Sequence, residues 1–350
     1  MSDNKRIRYF AASNSAEGFK SYYESVFAPE KYSSIYVIKG GPGTGKSHFI
    51  KSVAKRAEGA GYFVEYIYCS SDPTSLDGIV VPELRLAIID GTPPHAYEPR
   101  LPGAVENIVN LGDLWRSSVL SGSRRIIENL NTQKTRCFER AYGYLAAYKS
   151  VSKNMEQMIR PFLKLDKIKK FAARFASLSK EGEGIEEYRL ANSIGMNGRF
   201  GFDIYRESAG VYYEINDYLE TGHFLMWEIY NAQKNKNADM YVSPNPILCS
   251  RIDAISILPQ GLTFEIGESG DDDVRSINMK RFIDTGEIFT VRSNMRLATR
   301  VRDNICDMAI LEFESAKKYH FTLEEIYGAA MDFEAKEQFE EEFCKKIFDK

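Results

Sequence analysis

No stretch of this 350-residue sequence approaches the roughly 18 consecutive apolar residues that cross a bilayer. Its opening, MSDNKRIRYFAASNS, also lacks the apolar run of a secretory leader. The expectation is a soluble, cytoplasmic protein without a membrane partner. The five cysteines (Cys69, Cys137, Cys249, Cys306, Cys344) include no C-x-x-C pair and leave one over from any pairing, which argues against a disulfide framework or structural zinc. Nor does one charge dominate. Lys and Arg number 46 against 49 Asp and Glu, a net of -3, so no global positive field marks the chain for nonspecific nucleic-acid binding. With 43% hydrophobic and 27% charged residues, disorder and collagen-like repeats are excluded as well.

What is present is enough chain for two domains, and a phosphate-loop pattern in the first. Residues 34–38 (SIYVI) read as a buried strand, followed by GGPGTGKS at 40–47 and by a helix in which Phe49, Ile50, Val53, Ala54 and Ala57 share one face before Gly59 and Gly61 stop it. In G-x-x-x-x-G-K-[ST] the glycines let backbone N–H groups wrap anionic oxygens where the helix dipole also favours negative charge. The pattern assigns Gly40, Gly41, Pro42, Gly43, Thr44, Gly45, Lys46, Ser47 and His48 to nucleotide binding, with Lys46 on the β- and γ-phosphates and Ser47 on Mg²⁺.

A second Mg²⁺ group is expected at a neighbouring strand end, and residues 85–90 (RLAIID) deliver Asp90 there; an Asp-Gly turn is the plainer account of the same residues. Gly91 follows where many ATPases carry a catalytic glutamate. The base must therefore come from elsewhere, or hydrolysis is slow. The strand at 62–69 runs into SSDPTSLDG, making Asp72 the first candidate and Asp77 the next, with turn chemistry the competing account of Asp72. His95 and Arg100, in the proline-rich loop after Asp90, are either γ-phosphate sensors or surface-loop residues.

The chain also reads as a tandem duplication, 1–185 and 186–350, each copy with a helical extension. Arg8 aligns with Arg189 at an offset of 181, Thr44-Gly45 with Thr221-Gly222 at 177, and Leu76-Asp77 with Ile252-Asp253 at 176. Residues 138–144 (FERAYGY) align with 313–319 (FESAKKY) at 175, and 106–115 with 280–289 at 174. The second loop, 216–224, has lost the lysine and most glycines. His223 stands at the position of Lys46, Glu220 at that of Gly43, and Phe224 at that of Ser47, so one nucleotide per chain is expected. The matching magnesium strand, 262–266, carries Glu265. The acidic tract 271–273 lacks the spacing of a Ca²⁺ loop and reads as solvated.

Residues 149–180 hold nine Lys or Arg against Glu156 and Asp166, while 312–350 hold eleven acids against six lysines. Two readings stay open: the helical extensions face one another, or 149–180 is a basic surface for an anionic or protein partner, nucleic acid included.

GGPGTGKS, CSSDPTSLDGIVVPEL, AIIDGTPPH and PGAVENIVNLG together resemble a bacterial family of P-loop ATPases built from two tandem P-loop halves. The resemblance implies a P-loop NTPase fold of mostly parallel sheets with helices on both faces, ATP and Mg²⁺ as ligands, ATP hydrolysis and a cytoplasmic location. That family tends to keep a lysine-bearing loop in both halves; His223 departs from it. Three functions follow: an ATPase or ATP-driven switch using Lys46, Asp72 and Asp90; a nucleotide or metabolite kinase, for which IIDGTPP speaks; and a nucleotide-sensing scaffold of negligible turnover.

Overall fold

The computed structural model describes residues 7–94, 97–267, 274–286 and 288–348; His95 and the tract 271–273 lie outside them. The first half opens with β1 (Ile7–Phe10), the hairpin β2 (Ala12–Ser15) and β3 (Gly18–Ser21), and the short α1 (Tyr23–Val26). It continues with β4 (Ser34–Lys39), α2 (Lys46–Gly59), β5 (Glu65–Tyr68), β6 (Leu76–Val81), β7 (Leu86–Asp90) and β8 (Glu106–Asn110). Helices α3 (Ser117–Gly122), α4 (Arg124–Ile159) and α5 (Leu165–Ala176) follow.

The second half repeats this order. It runs β9 (Glu186–Tyr188), β10 (Asn192–Gly195), β11 (Gly198–Gly201), α6 (Ile204–Glu207), β12 (Val211–Asn216), α7 (Gly222–Lys234), β13 (Met240–Pro244), β14 (Ile252–Ile257), β15 (Leu262–Gly267) and β16 (Arg275–Asn278). It ends in α8 (Phe289–Ala330) and α9 (Phe333–Phe348).

Each half holds a six-stranded, mostly parallel mixed sheet. The first has the order β1-β5-β6-β7-β4-β8 and the second β9-β13-β14-β15-β12-β16, with β6 and β14 antiparallel to both neighbours. Order and direction therefore match strand for strand. Both sheets have near-continuous apolar strands because both of their faces are covered.

Strand register fixes which residues correspond. Ile38 lies opposite Asp90 and Ile215 opposite Ile266, while Gly78 lies opposite Ile89 and Ala254 opposite Glu265, which gives offsets of 177 and 176 as the sequence predicts. The partner of Asp90 is thus Ile266, with Glu265 one position before it. At the first strand the offset is 180, because Ile7 pairs with Glu65 as Glu187 pairs with Tyr241; Arg8 matches Tyr188, and the Arg8–Arg189 alignment is one residue off. Phe10 and Leu190, also 180 apart, exchange backbone hydrogen bonds of 2.9 and 3.0 Å, as residues beside a local two-fold axis do.

Beyond β8 the offset drops to 168. Asn110 and Asn278 cap equivalent 3₁₀ turns, each accepting from the N–H two residues on, and the pairings Trp115–Met331 and Ile283–Leu163 exchange under a shift of 168. The drop reflects the loop after Asp90, which is longer than its counterpart after Gly267. The alignments at 174 and 175 are therefore out of register. The second is wrong by seven residues, two helical turns, over which an amphipathic helix resembles itself.

The long helices α4 and α8 lie antiparallel, with Phe138 against Phe313 at 5.5 Å between ring centroids. The final helix of each half then crosses to the other sheet. Ile168, Ala172 and Phe175 of α5 join the core under α7 and the second sheet, whereas Phe343 and Cys344 of α9 join Phe49, Ile50 and Val53 of α2 under the first. Each fully buried side chain of this kind is worth about 1.5–3 kcal/mol, so neither half closes its core alone. The opposite face of the first sheet meets α1 and the second half's Ala191, Ile204, Tyr205 and Ala254. The basic stretch 149–180 finds its ion pairs at Glu17 and Glu156; none to 312–350 occurs among the described residues.

Candidate functional site

Strand β4 lies between two parallel neighbours, β7 and β8, and its C-terminal end opens directly into the glycine-rich loop. Open α/β sheets collect ligands at such ends. Gly43 and Gly45 take left-handed φ values of +70° and +78°, and Gly45 caps α2, a conformation that a side chain would disfavour. Thr44 Oγ1 donates to Gly41 O at 3.0 Å and holds the loop's curvature. The N–H groups of Gly43, Thr44 and Gly45 donate to no described protein acceptor, leaving an anion-sized cradle of donors at a helix N-terminus.

Lys46 Nζ donates to Gly41 O at 2.9 Å and Gly40 O at 3.1 Å, and stands 3.5 Å from Asp90 Oδ2. Both side chains are nearly shielded from solvent, at 12% and 13% exposure. Asp90 Oδ1 accepts from Thr92 N at 2.9 Å, so the Asp-Gly turn and the carboxylate's position at the loop are one feature. Ser47 Oγ accepts from Leu76 N at 2.9 Å and keeps a second lone pair. A cation held largely by phosphates and water needs only one or two such protein oxygens, and Ser47 and Asp90 fit Mg²⁺ in that manner. Among the described residues no group of three or more His, Cys, Asp or Glu could hold a metal by itself.

The two carboxylates considered for catalysis, Asp72 and Asp77, stand in different surroundings. Asp72 closes the turn after β5, accepting from Thr74 N at 3.1 Å, Thr74 Oγ1 at 2.8 Å, Ser75 Oγ at 3.0 Å and Asn197 Nδ2 at 3.2 Å, and no bond joins it to Lys46, Ser47 or Asp90. Asp77 is 3% exposed and precedes Gly78, which lies opposite Ile89 of β7, so it stands at the same edge of the sheet as Asp90. The Tyr23 phenol lies by both; burial raises its pKa well above 10 and Asp77 and Asp90 push it further, so it stays a proton donor. Sequence order alone could not reveal that β6 runs backwards and brings its first residues to this edge. Arg100 is on the surface, 3.7 Å from Glu30.

The second half's helices cover the loop. A Cβ on Gly43 would come within 2.3 Å of Glu324 O in α8, and one on Gly41 within 3.0 Å of Tyr327 Cε1. From α9, the buried Lys336 reaches Glu340 at 3.2 Å and His48 Nδ1 at 3.3 Å, beside the start of α2. Lys134 of α4, half-buried, lies close enough to Lys46 that burial first and the neighbouring charge second lower its pKa. Sequence reading singled out none of these, because they belong to helices distant in the chain.

The corresponding loop of the second half is filled by its own charges. Asp217 Oδ1 accepts from Gly222 N at 2.7 Å, and burial raises its pKa. Glu220, at the position of Gly43 and with φ +61°, pairs with Arg302 and lies 4.0 Å from Arg251. His223, at the position of Lys46, lies 3.5 Å from Glu156, whose carboxyl is held down at about 2 by the bond to His223 and by Arg251. The loop's cationic partners are thus met by carboxylates of the chain itself, and Ile266 stands at the position of Asp90. Beside it a cavity of about 330 Å³ is lined by Tyr148, Arg199, Asn245 and Asp253, with Asp253 accepting from Asn245 Nδ2 at 3.0 Å.

Among the described residues, no helix is long and apolar enough to cross a membrane. Comparison of the chain with protein-family models, curated proteins and solved structures gave no match.

Proposed function

We propose that the chain is a P-loop NTPase that binds ATP and Mg²⁺ at residues 40–48 of its first half, and that it works as an ATP-driven switch with slow hydrolysis. The observation that carries this reading is the cradle itself: three loop N–H groups without a protein acceptor, around a lysine amine 3.5 Å from a strand-end carboxylate. In it the loop amides and Lys46 bind the phosphates, Ser47 and Asp90 hold Mg²⁺, and Asp77 orients the attacking water. Mg²⁺ would neutralise phosphate charge.

Two features favour a switch over a fast hydrolase. Gly91 occupies the place of the usual glutamate, and α8 and α9 of the second half rest on the loop, so that nucleotide occupancy is felt there. The shared strand order, the register offsets and the reciprocal Phe10–Leu190 pairing support a tandem duplication in which the second copy has lost its site and become the reader of the first.

Calorimetry with Mg-ATP tests this. One nucleotide per chain is expected, and Lys46→Ala should abolish binding while leaving the fold intact, since the lysine at the start of α2 bonds to two loop carbonyls and one strand-end carboxylate and joins no hydrophobic core. Two nucleotides per chain, or unchanged affinity in Lys46→Ala, would overturn the assignment. ATP consumed by the protein alone supports the switch; consumption only on addition of an acceptor would replace it with a phosphotransferase.

A further inference from the structure

Residues corresponding under the shift of 168 occupy equivalent places on the paired helices α4 and α8, since the Trp115–Met331 and Ile283–Leu163 pairings bracket both helices with the same number of residues between. Under that shift Lys134 corresponds to Arg302, and Glu156 to Glu324. Each pair faces a phosphate-type loop: Arg302 and Glu156 face the second, and Lys134 and Glu324 the first.

In the second half the arrangement is complete. The Arg302 guanidinium is 6% exposed and binds the carboxylate of Glu220, the residue at the position of Gly43, so an anion, a loop and a cation from the long helix meet there. In the first half the loop residue is glycine and brings no anion. The helix cation is nevertheless present: Lys134 is half-buried, close to Lys46, and forms no hydrogen bond or ion pair among the described residues. Lys134 at the position of Arg302, on the helix that packs along α8, beside loop N–H groups that donate to no described protein acceptor and a lysine 3.5 Å from Asp90, describes a place that a multiply charged anion would complete.

We propose that Lys134 binds the terminal phosphate of the nucleoside triphosphate held by loop 40–45, as Arg302 binds Glu220 in the second half. This rests on the ATP-binding reading and adds to it a ligand from outside the loop, carried by a helix that packs along α8. The cation that separates a triphosphate from a diphosphate then comes from the helical pair joining the halves. Loss of the terminal phosphate releases α4 from the loop.

The test is calorimetric titration of the full chain with Mg-ATP and Mg-ADP for the wild type, Lys134→Met, Lys134→Arg and Lys46→Ala. Methionine keeps the apolar stem that packs in the helix pair, and matching circular dichroism and melting curves would establish that the variant folds. Loss of one charge-assisted bond should weaken ATP binding about tenfold or more in Lys134→Met and leave ADP within about twofold, with Lys134→Arg close to wild type. A role in helix packing alone would affect ATP and ADP equally. Equal losses for the two nucleotides, or ATP affinity unchanged in Lys134→Met while Lys46→Ala abolishes it, would overturn the assignment of Lys134 and leave the loop's function standing. A wild type that binds neither nucleotide would remove both.

Discussion

A methyl group added to Gly43 probes whether the second half rests on the phosphate loop. Gly43→Ala has two costs. The residue sits at φ +70°, where an L side chain is disfavoured by about 1–2 kcal/mol, and its Cβ would lie 2.3 Å from Glu324 O, an atom of backbone in α8 that no rotamer change can move aside. Relieving such an overlap costs about 1–3 kcal/mol, for a total near 3. Gly103→Ala isolates the contact. Gly103 has φ +76° and nothing within 4 Å of the added carbon, so it shares the conformational cost and the unfolded-state entropy change without the overlap. Urea denaturation should make Gly43→Ala less stable than Gly103→Ala by about 2 kcal/mol. If α8 gives way instead, the change should appear in the fluorescence of Trp115, one of two tryptophans, whose ring lies 5.5 Å from that of Tyr327 in α8. Equal stabilities together with an unaltered Trp115 signal would refute the contact and the coupling drawn from it.

Asp77→Asn should lower ATP turnover about tenfold or more and spare ATP affinity, whereas Asp72→Asn should leave turnover nearly unchanged and cost about 1 kcal/mol in stability by loosening its turn; steady-state kinetics with the reverse pattern would return the water to Asp72. Asp253 gives a pH signature. Burial pushes its carboxyl up to about 7, above its unfolded value near 4, so the folded state holds the proton longer; the resulting stability is complete below about pH 4 and is lost as pH rises through 7. Asp253→Asn should therefore flatten the pH dependence between 5 and 8 and gain about 2 kcal/mol over the wild type at pH 8 in urea titrations, the figure being reduced because the side chain lines an open cavity.

The parts legible in the sequence were those whose signal is local. A strand, a glycine-rich turn and an amphipathic helix follow one another from 34 to 59, and each is written in adjacent residues. The strand offsets of 177 and 176 were legible too, because a loop and a strand-end dipeptide have no internal period to blur them. Helical residues have one, so 138–144 matched 313–319 two turns away from the true register. The shift from 176 to 168 was hidden in the loop after Asp90. The exchange of α5 and α9 between sheets left no trace, since both helices present an apolar face that would suit either core. That Asp77 stands at the same sheet edge as Asp90 depends on β6 running antiparallel, a matter of pairing and not of composition.

The two halves are alike in strand order and unlike in the residues of the loop before α2 and α7. The second loop, which keeps one glycine, must still satisfy the donors at the start of its helix, and here Asp217 takes the N–H of Gly222 while Glu220, beside Asp303, supplies an anion to Arg302. These carboxylates belong to the chain, so the Gly222 N–H and the Arg302 guanidinium have anionic partners without a ligand. The first half lacks them, and on the proposed reading its corresponding groups, the loop amides with Lys46 and Lys134, are completed by a bound phosphate. Because α9 packs in the first core and α5 in the second, each core includes a helix of the other half, and under the proposed switch a change at the first loop would reach both through α4 and α8. Under the proposed function, one responsive site set against one loop filled by the chain's own charges makes the pair asymmetric, and that asymmetry would give a nucleotide at Lys46 a direction in which to act.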